Sequence, residues 1–504
     1  MAKTALSLPQ ESPLPLEARP RSRNWLERLW SSVAERGRRF APIPAEHVPG
    51  LERARQLSRS LLSERGEASG AAVSKELLQA IKTLTTDERL QYCLFLAENF
   101  YPDETALTAA AEAYIKTRSH EAATMLGQVS EPPRQEVLRR MNMARGGTAL
   151  LVGLRRDLAP MMKANPALKV LDADLRHLFL SWFNRGFLEL RRIDWQTSAA
   201  VLEKLIAYEA VHEIQGWDDL RRRLAPDRRC FGFFHPALPD EPLIFVEVAL
   251  VSGLAGSMQN LLERDTDETK QIANASKADS AIFYSISNCQ DGLRGISFGN
   301  FLIKQVVEEL RAEMPGLKRF ATLSPVPGFR SWLTARLAAG DLPELSLTAP
   351  ERNALLEAAN MAPESADASA IDVKEVLSAL LAQDSWVKMP KLREALRPAL
   401  LRLAAIYLTQ AAALKFRLDP VAKFHLGNGA RLERINWMAN ANAAGLKESY
   451  GVMVNYLYDP ATIEANHEVF VRDHEVVHAP TVAALMAPEE TASKPGLLKR
   501  YVKK

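Results

Sequence analysis

The chain has 504 residues, 47% of them hydrophobic and 25% charged, enough to bury a large core and, at roughly 100–200 residues per domain, to form two or three domains. Its 64 basic and 61 acidic residues leave a net charge of +3, which gives no drive towards nucleic acid or an anionic membrane. Cys93, Cys230 and Cys289 are too few and too scattered for a disulfide framework or a thiolate zinc site, and no apolar run approaches the roughly 18–20 residues that span a bilayer, so a reducing, intracellular setting with no membrane and no nucleic-acid partner is expected.

Residues 1–45 are rich in Pro and Arg and read as a mobile tail, with a short helix around Trp25 to Arg36. The tail holds Arg and Ser, as transit peptides do, but Glu11, Glu17, Glu27 and Glu35 break the acid-poor rule for such segments. From 46 to 190 the pattern is helical. Thr85-x-x-Glu88 is a capping box that opens an apolar run through Tyr92, Phe95 and Leu96. Pro132 and Pro133 sit where a helix start tolerates them, and Gly146-Gly147 is a break before helical stretches at about 148–164 and 171–191. No strand pattern interrupts this region, and antiparallel bundle packing follows.

After about 190 short runs of branched and aromatic residues alternate with helices. They are Cys230–Phe234, Leu243–Val251, Ala281–Ser287, Arg319–Leu323, Arg431–Trp437 and Val452–Tyr458. A helical insertion at 340–415 is broken by the polar stretch Ala362 to Asp372, and residues 466–504 read as a charged tail. The expected class is α+β, an all-α N-terminal bundle at 46–190 followed by a mixed α/β domain at 191–465.

The strongest local signal for chemistry lies between Ala281 and Arg311. A strand runs into the loop Asn288-Cys-Gln-Asp-Gly-Leu-Arg-Gly-Ile-Ser-Phe-Gly-Asn300, and a helix follows with Leu302, Ile303, Val306, Val307 and Leu310 on one face. Strand, glycine loop and helix start aim backbone N–H groups at a phosphate. Gly292, Gly295 and Gly299 would let the main chain approach, with Arg294 as a cationic neighbour; an ordinary strand-to-helix turn has the same pattern. The loop is neither a dinucleotide fingerprint nor a Walker loop.

Arg294-Gly-Ile-Ser-Phe-Gly299 resembles the pyrophosphate loop of the GNAT-type N-acetyltransferase fold, with Ser297 in place of the middle glycine. A wider resemblance rests on Tyr284 to Gly295, on Thr322-Leu-Ser-Pro-Val-Pro-Gly-Phe329, on Asp419-Pro-Val-Ala-Lys-Phe-His-Leu-Gly-Asn-Gly-Ala430 and on Arg434-Ile-Asn-Trp-Met-Ala439. Together these strings resemble the malonyl-CoA decarboxylase family. That resemblance implies a helical bundle that serves in oligomerisation, an acetyltransferase-like (GNAT-like) catalytic domain and a homotetramer. The family's reactive serine, described as a proton acceptor, falls on Ser324, and its histidine on His425. Its CoA-contacting loop falls on Arg294, Gly295, Ile296, Ser297, Phe298, Gly299 and Asn300. Tyr456 matches a further active-site tyrosine.

The implied activity is that of a carboxy-lyase converting malonyl-CoA to acetyl-CoA and CO2. Loss of CO2 from a malonyl thioester leaves an enolate whose electron sink is the thioester carbonyl, so neither a cofactor beyond the substrate's own CoA nor a metal is expected. Ser324 is expected to orient the malonyl carboxylate and His425 to protonate the enolate carbon, a task suited to a side chain that titrates near neutrality. Taken alone, a serine before proline starts a turn, and a tyrosine in an apolar strand packs.

Two other signals compete. His474-Glu-Val-Val-His478 has the spacing of a helical zinc site, but Pro480 would disturb the helix that presents both imidazoles. The run Arg221, Arg222, Arg223, Arg228 and Arg229 is either a CoA or nucleic-acid contact or a face paired with acids such as Asp218 and Asp219. A CoA-dependent acyltransferase on the same scaffold, a metallohydrolase and an inactive binding module are the alternatives to the decarboxylase. The chain ends Tyr501-Val-Lys-Lys504 and not in the Ser-Lys-Leu peroxisomal address, so a cytoplasmic, bacterial-type enzyme is expected.

Overall fold

The structure, a computed structural model, describes residues 24–44, 47–63, 66–209, 211–263, 265–296, 302–359, 372–382 and 384–486. Two units divide the chain. One takes in Met1–Phe183, Pro236–Leu238 and Gln290–Ile296, the other Asn184–His235, Pro239–Cys289 and Ser297–Lys504.

The first unit is built from helices. Thr85 accepts from the Glu88 backbone N–H while the Glu88 carboxylate accepts from that of Thr85, so the capping box starts the helix Thr86–Asn99 as its sequence predicts. Pro133 opens the helix Pro133–Met143 at its first turn, where the missing N–H is not needed. The core holds Leu57, Leu61, Val73, Leu77, Ile81, Tyr92, Leu96, Val137, Met141, Leu151, Leu175 and Phe179, all buried. Each full burial of such an apolar side chain is worth about 1.5–3 kcal/mol. Two helices stand apart. Glu104–Thr117, capped by Asp103, and His120–Ser130, capped by Ser119, pack on each other and between them bury only Ala110.

The helix expected over 171–191 is Leu168–Trp182 instead, and the chain turns at 185–187 into a strand, β1 (Glu189–Ile193). Leu190 and Ile193 of that strand are three residues apart, a helical spacing that continues the pattern of the helix before it and hides the strand.

β1 is the edge of the second unit's mixed sheet. The other strands are β2 (Arg228–His235), β3 (Leu238–Val251), β4 (Ser280–Asn288), β5 (Arg319–Thr322), β6 (Ser324–Pro325), β7 (Arg431–Asn436) and β8 (Met453–Leu457). Among the described residues the order is β1-β2-β3-β4-β5-β8-β6, and β7 pairs with β8. β4 is antiparallel to β3 along its whole length but pairs in parallel with β5 only from Ser280 to Phe283, so its second half runs on without β5. β8 is antiparallel to β5, β6 and β7. Strand side chains alternate between faces. Met453 and Leu457 accordingly join a cluster with Ile282, Ala321 and Leu323, while Tyr456 turns to the opposite face.

Helices Ala349–Ala358, Val373–Leu381 and Pro390–Thr409 occupy the predicted insertion; of its polar break, residues 360–371 lie outside the described residues. The helix expected near Trp25 runs over Asn24–Gly37, while residues 1–23 and 487–504 lie outside the described residues. The stretch read as a charged tail from 466 is folded as far as 486. It forms most of the helix Ile463–Asp473 and the helix Pro480–Met486, which packs on Pro390–Thr409 and β7 through the buried Val482. Sparse apolar residues among charges hid that contact in the sequence. No described helix is long and apolar enough to cross a membrane.

Candidate active site

Ser324 enters its position because the chain leaves β5 and re-pairs at once as β6. Leu323 N–H donates to the Phe283 carbonyl, and Ser324 then lies opposite Val454 of β8. His425 arrives on a different element, the helix Pro420–Gly427. Asp419 caps that helix, accepting on Oδ1 from Val421 N–H at 2.9 Å and Ala422 N–H at 3.2 Å, and Pro420 presets its first turn. The same carboxylate reaches the serine's side of the site. Its Oδ2 accepts from Gly328 N–H at 2.9 Å and from the Tyr407 hydroxyl at 3.4 Å. One wholly buried aspartate thus holds together the turn after Ser324 and the helix that carries His425. A Cβ at Gly328 would lie 2.3 Å from the Tyr407 oxygen, so only glycine allows that approach.

The two predicted residues meet. Ser324 Oγ lies 3.0 Å from His425 Nε2, and Nδ1 of the same ring lies 2.8 Å from the Tyr458 hydroxyl. Ser324 donates its own proton to Thr322 Oγ1 at 2.8 Å, and that oxygen also accepts the Tyr456 backbone N–H at 3.1 Å. The Tyr456 ring stacks on the His425 ring with centroids 4.7 Å apart, and its buried hydroxyl has no hydrogen-bond partner among the described residues. The carboxamide of Asn455, on the other face of β8, donates to the Thr322 carbonyl at 2.7 Å and fixes the backbone between the two.

Burial governs the electrostatics. His425 is 3% exposed, and desolvation pushes its pKa down to about 3. The expectation of a histidine titrating near neutrality is therefore corrected: in this state the ring is neutral, and it acts through an N–H and a lone pair. Burial also raises the Tyr456 and Tyr458 hydroxyls well above the ordinary phenol range, so both stay protonated. Asp419 is raised by burial, with its backbone N–H partners pulling the other way.

Thr322, Tyr458 and Asp419 were not singled out in the sequence. Tyr458 was within reach of the period-two rule, since it follows Tyr456 by two positions and shares its face of β8. Thr322 and Asp419 lie inside the strings that carried the family resemblance, where nothing distinguishes a relay acceptor from a packing residue.

The predicted CoA loop is described in part. Arg294 is exposed and paired with Asp291 at 2.9 Å, Gly295 has φ +79°, and Ile296 is buried. Ser297, Phe298, Gly299 and Asn300 lie outside the described residues. Gly292 lets the main chain approach Val152: a Cβ there would lie 2.0 Å from the Val152 carbonyl oxygen. Arg155, paired with Asp172, donates to the carbonyls of Gly292 at 2.8 Å and Arg294 at 2.9 Å and so pins the loop.

Four arginines of the run are ion-paired scaffolding, and the fifth, Arg221, is exposed. Arg223 pairs with Glu247 and Asp219, Arg222 forks onto Asp227, Arg228 holds Asp227 and the Leu261 carbonyl, Arg229 holds Glu313, and Arg221 lies over the Trp195 ring. The His474–His478 string forms no helix. His474 ends one at φ +56°, and His478 bridges to Leu432, so the two imidazoles are not one turn apart on a helical face.

The profile of the malonyl-CoA decarboxylase C-terminal domain matches residues 186–495 and that of the malonyl-CoA decarboxylase N-terminal domain residues 100–183. The mitochondrial malonyl-CoA decarboxylase of the goose Anser anser anser is 38% identical over 367 residues, 72% of this chain and 71% of that protein. That of Rattus norvegicus is 35% identical over 417 residues, 79% of this chain and 82% of that protein. Among solved structures, malonyl-CoA decarboxylase from Rhodopseudomonas palustris superposes with a TM-score of 0.75 at 45% identity, covering 92% of this chain and 99% of that one. The enzyme from Agrobacterium vitis gives 0.74 at 45%, covering 86% and 99%. With both domains matched and Ser324 and His425 in contact, the chain belongs to the malonyl-CoA decarboxylase family.

Proposed function

We propose that this chain decarboxylates malonyl-CoA to acetyl-CoA and CO2, with Ser324 orienting the malonyl carboxylate and His425 protonating the enolate. The observation that carries the reading is the buried hydrogen-bonded chain Tyr458–His425–Ser324–Thr322 in a member of this family. As the C–C bond to the carboxylate breaks, its electron pair passes into the thioester carbonyl and CO2 leaves. The Nε2 proton of His425 then goes to the α-carbon, the Tyr458 hydroxyl offsets the charge left on the ring from Nδ1, and solvent returns one proton per turnover. The enolate carbon is basic enough to take a proton from a neutral imidazole, so the depressed pKa does not oppose this step. The free hydroxyl of Tyr456 is suited to the enolate oxygen, because a fixed donor in a dry site needs no reorganisation when charge develops. The thioester is its own electron sink, and the reaction as written uses no cofactor.

Arg294, Gly295, Ile296, Ser297, Phe298, Gly299 and Asn300 are proposed to meet the CoA pyrophosphate ahead of the helix Leu302–Glu313, in an acetyltransferase-like domain; the separation of β4 from β5 beyond Phe283 supports that placement. We propose a homotetramer, supported by the sparsely buried helix pair 104–117 and 120–130, and a cytoplasmic setting, supported by the similarity to bacterial structures. Malonyl-CoA supplied alone tests the activity. CO2 and acetyl-CoA are expected, whereas release of free CoA only on adding an amine or alcohol acceptor would make the chain an acyltransferase.

A further inference from the structure

A hydroxyl has one proton and two lone pairs, so a serine between two partners donates to one and accepts from the other. Until the malonyl carboxylate arrives to take its proton, Ser324 donates to Thr322 Oγ1 at 2.8 Å. Its remaining partner, His425 Nε2 at 3.0 Å, must then supply a proton of its own. With the proton on Nε2, Nδ1 is a bare lone pair, and the Tyr458 hydroxyl at 2.8 Å donates to it. Both lone pairs of the Thr322 oxygen are engaged, one by Ser324 and one by the Tyr456 N–H at 3.1 Å. Thr322 is wholly buried.

We propose that Thr322 fixes the proton of His425 on Nε2, the nitrogen beside Ser324, and is thereby a positioning residue for the proton transfer proposed above, on which this inference rests. Without the threonine acceptor, the Ser324 hydroxyl is free to turn and donate to Nε2. The ring proton then moves to Nδ1 and faces the Tyr458 oxygen, and the whole chain of hydrogen bonds runs backwards. In that state the nitrogen beside Ser324 carries no proton to deliver. The direction of the chain is set by a residue whose hydroxyl oxygen is bonded to Ser324 and the Tyr456 N–H, one step removed from the ring.

The test is made on the full chain with nitrogen-15 in its histidines. The sequence holds nine histidines, and the signals of interest are those lost in His425→Asn. Wild type is expected to show a protonated Nε2. Thr322→Val should move protonation towards Nδ1, and Thr322→Ser should restore it. Around metal-bound imidazoles, loss of the partner that fixes the tautomer costs about 10–100-fold; kcat for malonyl-CoA should fall by a factor of that order with KM unchanged and recover in the serine variant. Thr322→Cys keeps the volume with a poorer acceptor and should show the same shift to a smaller extent, which preserves the test if the valine variant does not fold. Nε2 protonation unchanged in both the valine and cysteine variants, or unrestored by serine, overturns the proposal. The resonances need no turnover, so a wild type that releases no CO2 would sink the decarboxylase reading without deciding this one.

Discussion

Ser324 Oγ lies 3.0 Å from His425 Nε2 across 101 residues of chain. The serine is placed by a two-residue strand and the histidine by the last turn of a short helix, and Asp419 binds both approaches. Neither residue is held by its own element alone, so the geometry of the pair depends on the insertion packed around Tyr407 and on β8.

Ser324→Ala and His425→Asn are expected to lower malonyl-CoA turnover by about 10²–10⁴-fold each, the range of general acid–base catalysis, while CoA binding measured by calorimetry stays close to that of wild type. The double variant should fall little further, because the two residues act as a unit. Turnover near that of wild type in His425→Asn would remove the histidine from the mechanism.

Acid should unfold the protein partly through His425. The folded pKa is about 3 and the unfolded value is 6.5, so between them the unfolded chain binds more protons. Stability then declines as pH falls through 6.5 and ceases to respond to this group below about 3, with a slope of up to about 1.4 kcal/mol per pH unit. His212, pushed down to about 4 by burial and by Arg223, adds a slope of the same sign. Denaturant midpoints measured across this window should vary less steeply in His425→Asn; an unchanged slope would mean that the folded site takes up the proton freely.

Asp419→Ala should cost about 1–2 kcal/mol for the lost helix cap. The Gly328 N–H left without its acceptor adds about 1–3 kcal/mol. Asp419→Asn keeps one side-chain oxygen and should lose less. Chemical denaturation orders the three proteins, and equal stability of alanine and asparagine variants would contradict the double anchorage.

Gly328→Ala drives a methyl group towards the Tyr407 oxygen 2.3 Å away, and overpacking of this kind costs about 1–3 kcal/mol. Tyr407→Phe removes that oxygen together with its long hydrogen bond to Asp419. The pair should be more stable than the sum of the two single changes predicts. Strict additivity in melting experiments would show that the backbone shifts away and that the hydroxyl is not the obstacle.

Arg155→Ala removes the donor shared by the Gly292 and Arg294 carbonyls. If the loop that follows holds CoA, KM for malonyl-CoA should rise by about tenfold, roughly one charge-assisted hydrogen bond's worth, with kcat little changed. Initial-rate kinetics separates the two; a fall in kcat alone would count against a binding role for this loop.

Local signals determined much of this protein. The Thr85 and Glu88 capping box, the Pro133 helix start, the strand patterns at 281–287 and 452–458 and the choice of Ser324 and His425 through family strings were all legible, because each rests on a few adjacent residues or on a specific motif; that the two side chains meet was not. Tertiary structure alone decided the rest. It paired four arginines with carboxylates and laid the exposed Arg221 over Trp195, folded a charge-rich segment through Val482, filled the space at Gly292 with Val152 and kept His425 neutral. Those outcomes depend on which distant surfaces exclude water from a group, and desolvation is a property of the assembled environment that no local pattern encodes.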